Sequence, residues 1–176
     1  MTPRLETPRL ILREWREDDL DGFARFWANE ATARYVGGVK SREDAWRVMA
    51  MHVGHWNLRG FGVFALEEKA TGFFMGWSGP YCPEGWPENE LGWGLLPEFH
   101  GRGYATESAV AARDFVYGTL GWTTAISLID PDNHGSLRVA ERLGARIEKY
   151  WSLRGRDIHL LRHPSPQQLQ SASSQH

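Results

Sequence analysis

The residues best suited to chemistry lie in the stretch 90–112, where a strand pattern, a glycine loop and a helical pattern follow one another. Residues 91–96 form a short apolar run that predicts a strand, and Gly101 and Gly103 follow in a loop. Free N–H groups at a helix N-terminus favour an anion, and glycine lets the backbone come close to it. The sequence therefore predicts a site for a pyrophosphate-bearing ligand at residues 100–106.

Several kinds of loop share this arrangement. A P-loop needs a Lys followed by Ser or Thr after its second glycine, and this loop has no such pair. A dinucleotide-binding fingerprint needs a third glycine or a close variant, where this chain has Thr106, and it normally belongs to a first βαβ unit. An ordinary glycine-rich turn into a helix is a further interpretation that the loop alone leaves open.

The segment 100–105, HGRGYA, resembles the acetyl-CoA loop of the GNAT acetyltransferases, whose pattern is Q/R-x-x-G-x-G/A. Gly103 and Ala105 match the fixed small residues of that pattern. His100 departs from it, because the family has Gln or Arg at the first position. Such a loop contacts its ligand mostly through backbone N–H groups, so a histidine there is compatible with the same use.

Two further stretches resemble the same family in its RimJ/RimL-type branch. Residues 132–145 resemble its N-x-x-S-x-R-x-x-x-x-L-G-A/F segment, with Asn133, Ser136 and Arg138 at the polar positions. Residues 7–13 look like the opening strand of that branch. The three stretches occur in the family's order and span roughly 7–163, so the chain is identified as a GNAT N-acetyltransferase.

Composition excludes some other classes of protein. The chain has 176 residues, a formal net charge of −2 and 24% charged residues, which suits one globular domain and argues against nucleic acid as the main partner. Cys82 is the one cysteine, so no disulfide framework is expected. The N-terminus lacks an apolar signal segment, and no run approaches the ~18 apolar residues of a membrane helix. We therefore expect a cytoplasmic protein with no membrane partner.

The order of patterns along the chain is strand, two helices, three strands, helix, strand, helix and two strands, which is also the order that the resemblance implies. This predicts an α/β (α+β) fold with one mixed, mostly antiparallel sheet and about four flanking helices. We expect a single acetyltransferase domain at 1–164 and a disordered tail at 165–176, which is rich in Ser and Gln.

The resemblance implies where an acetyl-CoA donor would lie. In this family the central strand splays from its neighbour, its freed backbone receives the pantetheine arm, and one of its N–H groups stabilises the oxyanion. The residues expected to bind the cofactor are Leu95, Leu96, His100, Gly101, Arg102, Gly103, Tyr104, Ala105, Thr106, Asn133, Ser136 and Arg138. No His, Cys and Asp cluster has the spacing of metal ligands, so no metal is expected.

Two residues are candidates for catalysis. Glu90 begins the central strand and could take a proton from the attacking amine directly or through water, although a solvated carboxylate at a strand end is an alternative. Many relatives carry a Tyr that serves the leaving thiolate where this chain has Ala140. Ser136 is the nearest replacement, and its alternative role is a helix cap.

The acceptor is expected to be a small amine or a protein N-terminus. Tyr35, Tyr81, Trp86 and Glu88 would form an aromatic rim with an acidic member, which suits a cationic amine. Two rival functions stay open: a module that binds or senses acetyl-CoA with weak or no turnover, and a nucleotide-binding protein that uses the same loop. A homodimer is compatible with the sequence, although no dimer interface can be identified in it.

Overall fold

The computed structural model describes residues 1–174 and contains one sheet of eight strands in the order β1-β2-β3-β4-β5-β6-β8-β7. The strands are β1 Leu5–Glu6, β2 Leu10–Arg13, β3 Phe64–Glu68, β4 Phe74–Tyr81, β5 Glu90–Leu95, β6 Ile126–Ile129, β7 Arg146–Leu153 and β8 Arg156–Arg162. The helices are α1 Leu20–Ala28, α2 Glu30–Ala33, α3 Arg42–Arg59, α4 Tyr104–Gly118, α5 His134–Arg142 and α6 Pro166–Ser173.

The sheet is mixed, as the sequence predicted. Adjacent strands are antiparallel except β5 and β6, which run parallel. Residues 1–174 include two short helices, α2 and α6, beyond the four expected. The fold class is therefore confirmed.

Local sequence signals set the ends of the long helix α3. The Ser41 side chain accepts a hydrogen bond from the Asp44 backbone N–H at 3.1 Å, which satisfies an N–H group that has no partner within the helix. Gly60 ends the helix in the left-handed conformation, with φ of 77°. Both ends are therefore set by residue types that are typical of helix termini, a serine at the start and a glycine at the end.

Strand β4 extends further than its sequence pattern indicates. Residues 80–89 contain three prolines, a composition typical of a loop, but Pro80 and Tyr81 pair with Leu91 and Glu90 on β5. A proline fits at this point because the backbone groups of Leu91 face β6, so the Pro80–Leu91 pair needs no N–H donor from Pro80. The extension brings Tyr81 beside the start of the central strand.

The core is built largely from aromatic side chains on both sides of β4. Phe23 and Phe26 of α1 are almost fully buried, and the ring centroids of Phe26 and Trp77 lie 6.4 Å apart. On α4, Phe115 packs edge-on against Phe64 with a centroid distance of 5.5 Å. Burying such rings is worth about 1.5–3 kcal/mol each, which anchors the strands that carry the site.

The C-terminal segment differs from the expected disordered tail. Residues Pro166–Ser173 form α6, which begins with a capping box in which the Ser165 and Gln168 side chains bond to each other's backbone N–H groups. Pro166 occupies the first helical turn, where its missing N–H costs nothing. The Ser- and Gln-rich composition hid these helix-start signals, and positions 175–176 lie outside the described residues.

Candidate active site

The site is organised by the separation of two neighbouring strands. Strand β5 pairs with β4 from Glu90 to Leu95, but within residues 1–174 its pairing with β6 consists of Glu90 opposite Ile126. Ser127 of β6 donates to the Leu91 carbonyl at 2.6 Å, so the backbone groups of Leu91 face β6. Because these groups alternate along a strand, the N–H groups of Trp93 and Leu95 face the opening between the strands.

One cavity, of about 320 Å³, lies between the end of β5, the start of α4 and α5; we call it the cofactor-side cavity. Of the residues predicted to bind the cofactor, it is lined by Leu95, His100, Gly101, Gly103, Tyr104, Ala105, Thr106, Asn133, Ser136 and Arg138. Segments 30 residues apart in the sequence therefore meet around one space.

The start of α4 presents backbone donors to this cavity. Gly101 and Gly103 have φ of 71° and 81°, a left-handed conformation that L side chains rarely adopt. The Glu107 N–H bonds to the Gly103 carbonyl at 3.0 Å, so the earlier amides of the first turn have no carbonyl partner within the helix. The buried Thr106 hydroxyl also lacks a partner among the described residues. Unpaired donors around a cavity fit a phosphate-bearing ligand.

The loop is held from behind by side chains of the N-terminal half of the chain. The Tyr104 hydroxyl donates to Glu68 at 2.6 Å, and the Arg9 guanidinium lies 4.1 Å from the centroid of the Tyr104 ring. Arg9 also donates to Glu107 at 2.7 Å and to the Arg102 carbonyl at 2.9 Å. Arg102 was expected to bind the cofactor. In the structure its guanidinium lies 5.0 Å from the centroid of the Tyr104 ring, which Arg9 also contacts.

Two other predicted cofactor contacts are engaged within the protein. The Leu96 N–H donates to the Met75 carbonyl at 2.9 Å, so it is directed at β4 and away from the opening. His100 lines the cofactor-side cavity, but its Nε2 lies 2.9 Å from the Leu95 carbonyl. The His100 ring therefore contacts the carbonyl of the last residue of β5, a role that the loop pattern did not indicate.

A second cavity, of about 350 Å³, adjoins the first; we call it the acceptor-side cavity. The two cavities share five lining residues: Tyr35, Val36, Trp93, Asn133 and Ser136. The Asn133 side chain accepts from the Ser136 N–H at 3.2 Å, so Asn133 caps α5 while it lines both spaces. The two cavities therefore adjoin along these five residues.

Glu90 lies in the wall of the acceptor-side cavity and is 8% exposed. Its carboxylate accepts from the Leu128 N–H at 3.0 Å and from the Trp86 indole N–H at 2.6 Å. Burial raises the pKa of Glu90 to about 7, and these two hydrogen bonds oppose the rise. A carboxyl group with this pKa exchanges its proton near neutral pH, which is what a general base needs.

The predicted acceptor residues divide into two groups. Tyr35, Tyr81 and Trp86 line the acceptor-side cavity. Burial, and to a lesser degree the Glu90 carboxylate, raise the pKa of Tyr81 to about 12. Glu88 instead forms an ion pair with Arg162 at 2.5 Å, which ties its loop to β8. A charged pair of this kind was not visible in the sequence because 74 residues separate its members.

Two lining residues were not identified as site residues in the sequence. His52 of α3 is 6% exposed, and burial lowers its pKa to about 3, so it is neutral at physiological pH. Its helical spacing indicated only a core position. The Trp77 indole lies across Gly92 and Gly94 of β5, where a Cβ on Gly94 would be 2.7 Å from the ring. Alternate glycines in β5 were a signal of such close packing.

Across the described part of the chain, no helix is both long enough and apolar enough to cross a membrane. Residues 1–174 also contain no group of three or more His, Cys, Asp or Glu side chains placed to hold a metal ion.

Comparisons with known proteins agree on the fold. A crystal structure of an acetyltransferase from Agrobacterium tumefaciens is 33% identical to this chain, with a TM-score of 0.81 over 92% of this chain and 94% of that one. RimL, a ribosomal L7/L12 α-N-protein acetyltransferase solved in complex with coenzyme A, has a TM-score of 0.77 over 93% and 98% of the two chains. It is 16% identical, so that likeness shows the fold alone.

Similarity in sequence points the same way. YkkB of Bacillus subtilis is 30% identical over 154 residues, which cover 83% of this chain and 87% of the relative. YnaD, an N-acetyltransferase of the same organism by name, is 26% identical over 148 residues, or 84% and 85% of the two chains. The model of the acetyltransferase (GNAT) domain matches residues 9–146. Since that match covers well over half of this chain, the chain belongs to the GNAT family and is an acyltransferase.

Proposed function

We propose that this protein transfers an acetyl group from acetyl-CoA to a primary amine by direct attack in a ternary complex. The observation that carries the proposal is the meeting of two cavities at the opening of the sheet, with Glu90 in the wall of one and the unpaired amides of α4 around the other. The first cavity has a loop whose free amides would suit a phosphate, and the second has a buried carboxylate that would act as the base.

The donor would be held by backbone groups. The amides of residues 101–106 would face its pyrophosphate, and the helix dipole of α4 adds to that attraction. The Trp93 and Leu95 N–H groups that face the opening are suited to the pantetheine arm and to the thioester oxygen. Acetyl-CoA supplies the acetyl group as an activated thioester.

The acceptor amine must arrive neutral or lose a proton before its nitrogen bonds to the thioester carbon. Glu90 would take that proton, directly or through one water, because a pKa raised to about 7 makes both protonation states accessible near neutral pH. Either Trp93 or Leu95 would donate its N–H to the oxygen that becomes negative. The carbon–sulfur bond then breaks, and the Ser136 hydroxyl would donate a hydrogen bond or proton to the leaving thiolate.

One rival function, a nucleotide-binding protein, predicts a different outcome in a binding experiment. The melting temperature is measured with acetyl-CoA, CoA, ATP and NAD in parallel. A ligand at about 100 times its Kd adds about 2.7 kcal/mol, which is roughly 5–10 °C for a domain of this size. We expect a shift with acetyl-CoA and CoA. A larger shift with ATP or NAD would replace the proposal with a nucleotide-binding function.

Release of free thiol in the presence of an amine panel tests turnover. Acetyl-CoA binding without thiol release from any amine would favour a binding or sensing module. The panel includes peptide amines, because RimL acts on a ribosomal protein according to its name and the predicted RimJ/RimL-type branch implies a protein N-terminus. Small amines form its other arm.

A further inference from the structure

Two cations from distant parts of the chain converge at the mouth of the acceptor-side cavity. Lys40 follows α2, Arg154 lies in the turn between β7 and β8, and both line this cavity. A Cβ built on Gly37 would lie 3.4 Å from a terminal nitrogen of Arg154 and 3.8 Å from the Lys40 ammonium. The two charged groups therefore flank the same point.

Neither cation is neutralised by a carboxylate. Among residues 1–174, no Asp or Glu oxygen lies within 4.0 Å of Lys40 or Arg154. Lys40 lies 5.0 Å from the centroid of the Trp27 ring, a contact that leaves its charge in place. Arg156, close by on β8, differs because it is paired with Asp130. Two unpaired like charges at a cavity mouth repel each other unless an anion joins them.

A second observation at Arg154, independent of its charge, is that its backbone is strained. Arg154 has φ of 52°, the one positive value outside glycine in the described residues. Together with Gly155 it forms a two-residue hairpin turn between Leu153 and Arg156, of the kind that favours Asn-Gly or Asp-Gly. A bulky residue in this conformation costs energy, and such strain clusters at ligand-binding positions.

The strand register separates Arg154 from Glu90. The Glu90 carboxylate contacts Leu128, which is opposite Leu160 on β8. Arg156 begins β8 four positions away, a distance of about 13 Å along the strand, and Arg154 lies beyond it. Aromatic side chains, Trp77, Tyr81 and Trp86 among them, also line the cavity. An acceptor that used both ends would need a spacer between its amine and its anion.

We propose that the acceptor is a small molecule with a primary amine at one end and a carboxylate at the other, separated by an apolar spacer. Lys40 and Arg154 bind the carboxylate at the mouth while Glu90 receives the amine. This inference rests on the proposed acetyl transfer and specifies its substrate class. A cavity of about 350 Å³ suits a molecule of this size better than a protein surface.

Matched ligands that differ in charge test the inference without turnover. The protein saturated with CoA is titrated calorimetrically with 4-(aminomethyl)benzoate and with 4-(aminomethyl)benzamide. We expect the carboxylate to bind about tenfold or more tightly, because charge-assisted hydrogen bonds are the stronger class, and the preference to shrink at 1 M salt. Equal affinity, or no binding of either ligand, would overturn the inference.

Variants of the two cations show whether these side chains cause the preference for the carboxylate ligand. Lys40→Gln combined with Arg154→Asn removes both charges, and Asn tolerates the left-handed turn, so the hairpin is preserved. We expect this double variant to bind both ligands alike, with its CoA-induced melting shift retained as a folding check. Lys149→Gln, on the neighbouring strand β7, is the matched control and should keep the preference. A preference that survives in the double variant contradicts the assignment.

Two further arms separate this inference from its alternatives. Tighter binding of phenylalanine than of 4-(aminomethyl)benzoate would contradict the long spacer, and binding of an acidic peptide alone would indicate a protein acceptor instead. Equal acetylation of the benzoate and the benzamide would overturn the carboxylate site while leaving acetyl transfer intact. Carboxylate-selective binding with no thiol release from any amine would keep the carboxylate site and overturn acetyl transfer.

Discussion

The two cavities are built in different ways. The cofactor-side cavity takes its backbone N–H donors from one contiguous segment, the loop 100–106 and the first turn of α4, with side chains such as Arg138 beside them. The acceptor-side cavity takes them from side chains on distant segments, such as Lys40, Glu90 and Arg154. A backbone site tolerates many side chains, whereas a side-chain site changes its chemistry with each substitution. The first is therefore suited to one constant donor and the second to a particular acceptor.

Electrostatics distinguish the same two regions. The cofactor side would attract an anion with free amides, a helix dipole and the Arg138 side chain that lines it. On the acceptor side, burial shifts ionisable groups toward their neutral forms, since it raises the pKa of Glu90 to about 7 and lowers that of His52 to about 3. Substitutions on the acceptor side should therefore affect pH dependence, and those on the cofactor side should affect donor binding.

The largest effect is expected from Glu90→Gln. The rate constant kcat/KM at pH 7.5 should fall about 10²–10⁴-fold, because the base is removed while the side-chain shape is kept. In the wild type, kcat/KM should rise as pH increases through about 7, since the carboxylate is the active form, and the variant should lack this rise. The CoA-induced melting shift should be unchanged. A variant that retains the wild-type pH profile would remove Glu90 from the mechanism.

On the cofactor side, Gly103→Val should weaken CoA binding about tenfold or more. Gly103 caps α4 with φ of 81°, and a β-branched residue in that conformation costs about 1–2 kcal/mol or distorts the loop. Gly118→Ala is the matched control, because Gly118 ends the same helix and a Cβ there meets no atom within 4 Å. CoA affinity is measured by calorimetry, and equal affinities for both variants would contradict a backbone-built donor site.

Replacement of His52 should change stability with pH. Its pKa is about 3 in the fold and about 6.5 in an unfolded chain, so unfolding takes up a proton and stability is lost as pH falls below about 6.5. His52→Phe should remove part of that loss, by about 1 kcal/mol or more at pH 5 relative to pH 8. Urea unfolding at both pH values measures it. The exposed His134, changed to Asn, is the control, and an identical acid slope in all three proteins would contradict this prediction.

The smallest effect is expected from Ser136→Ala at the wall between the cavities. A thiolate leaves readily without help, so kcat should fall only about threefold to tenfold, with the KM for acetyl-CoA little changed. Thiol release under saturating acetyl-CoA gives kcat. The Ser136 side chain does not supply the cap of α5, which is the side-chain oxygen of Asn133, so stability should be preserved. A loss above 10²-fold would mean that Ser136 has a larger role than proposed.

Motifs in contiguous sequence predicted the fold class, helix α4 and the loop with its two glycines, because their geometry depends on neighbours along the chain. Predictions that needed to know which way a group faces were less successful. Leu96 and Glu88 lie close to the site in sequence, but their polar groups bond to Met75 and Arg162. The tail at 165–174 was misjudged from composition, although Ser165 and Gln168 carried a capping signal.

By itself, the sequence determined the strand, the glycine loop and the helix start that line the cofactor-side cavity, since left-handed glycines and free first-turn amides follow from local chemistry. Only the tertiary structure decided that β5 and β6 separate, that Glu90 is buried with a raised pKa, and that Lys40 meets Arg154 across more than a hundred residues. Burial and long-range proximity are properties of the packed chain, so no local pattern encodes them.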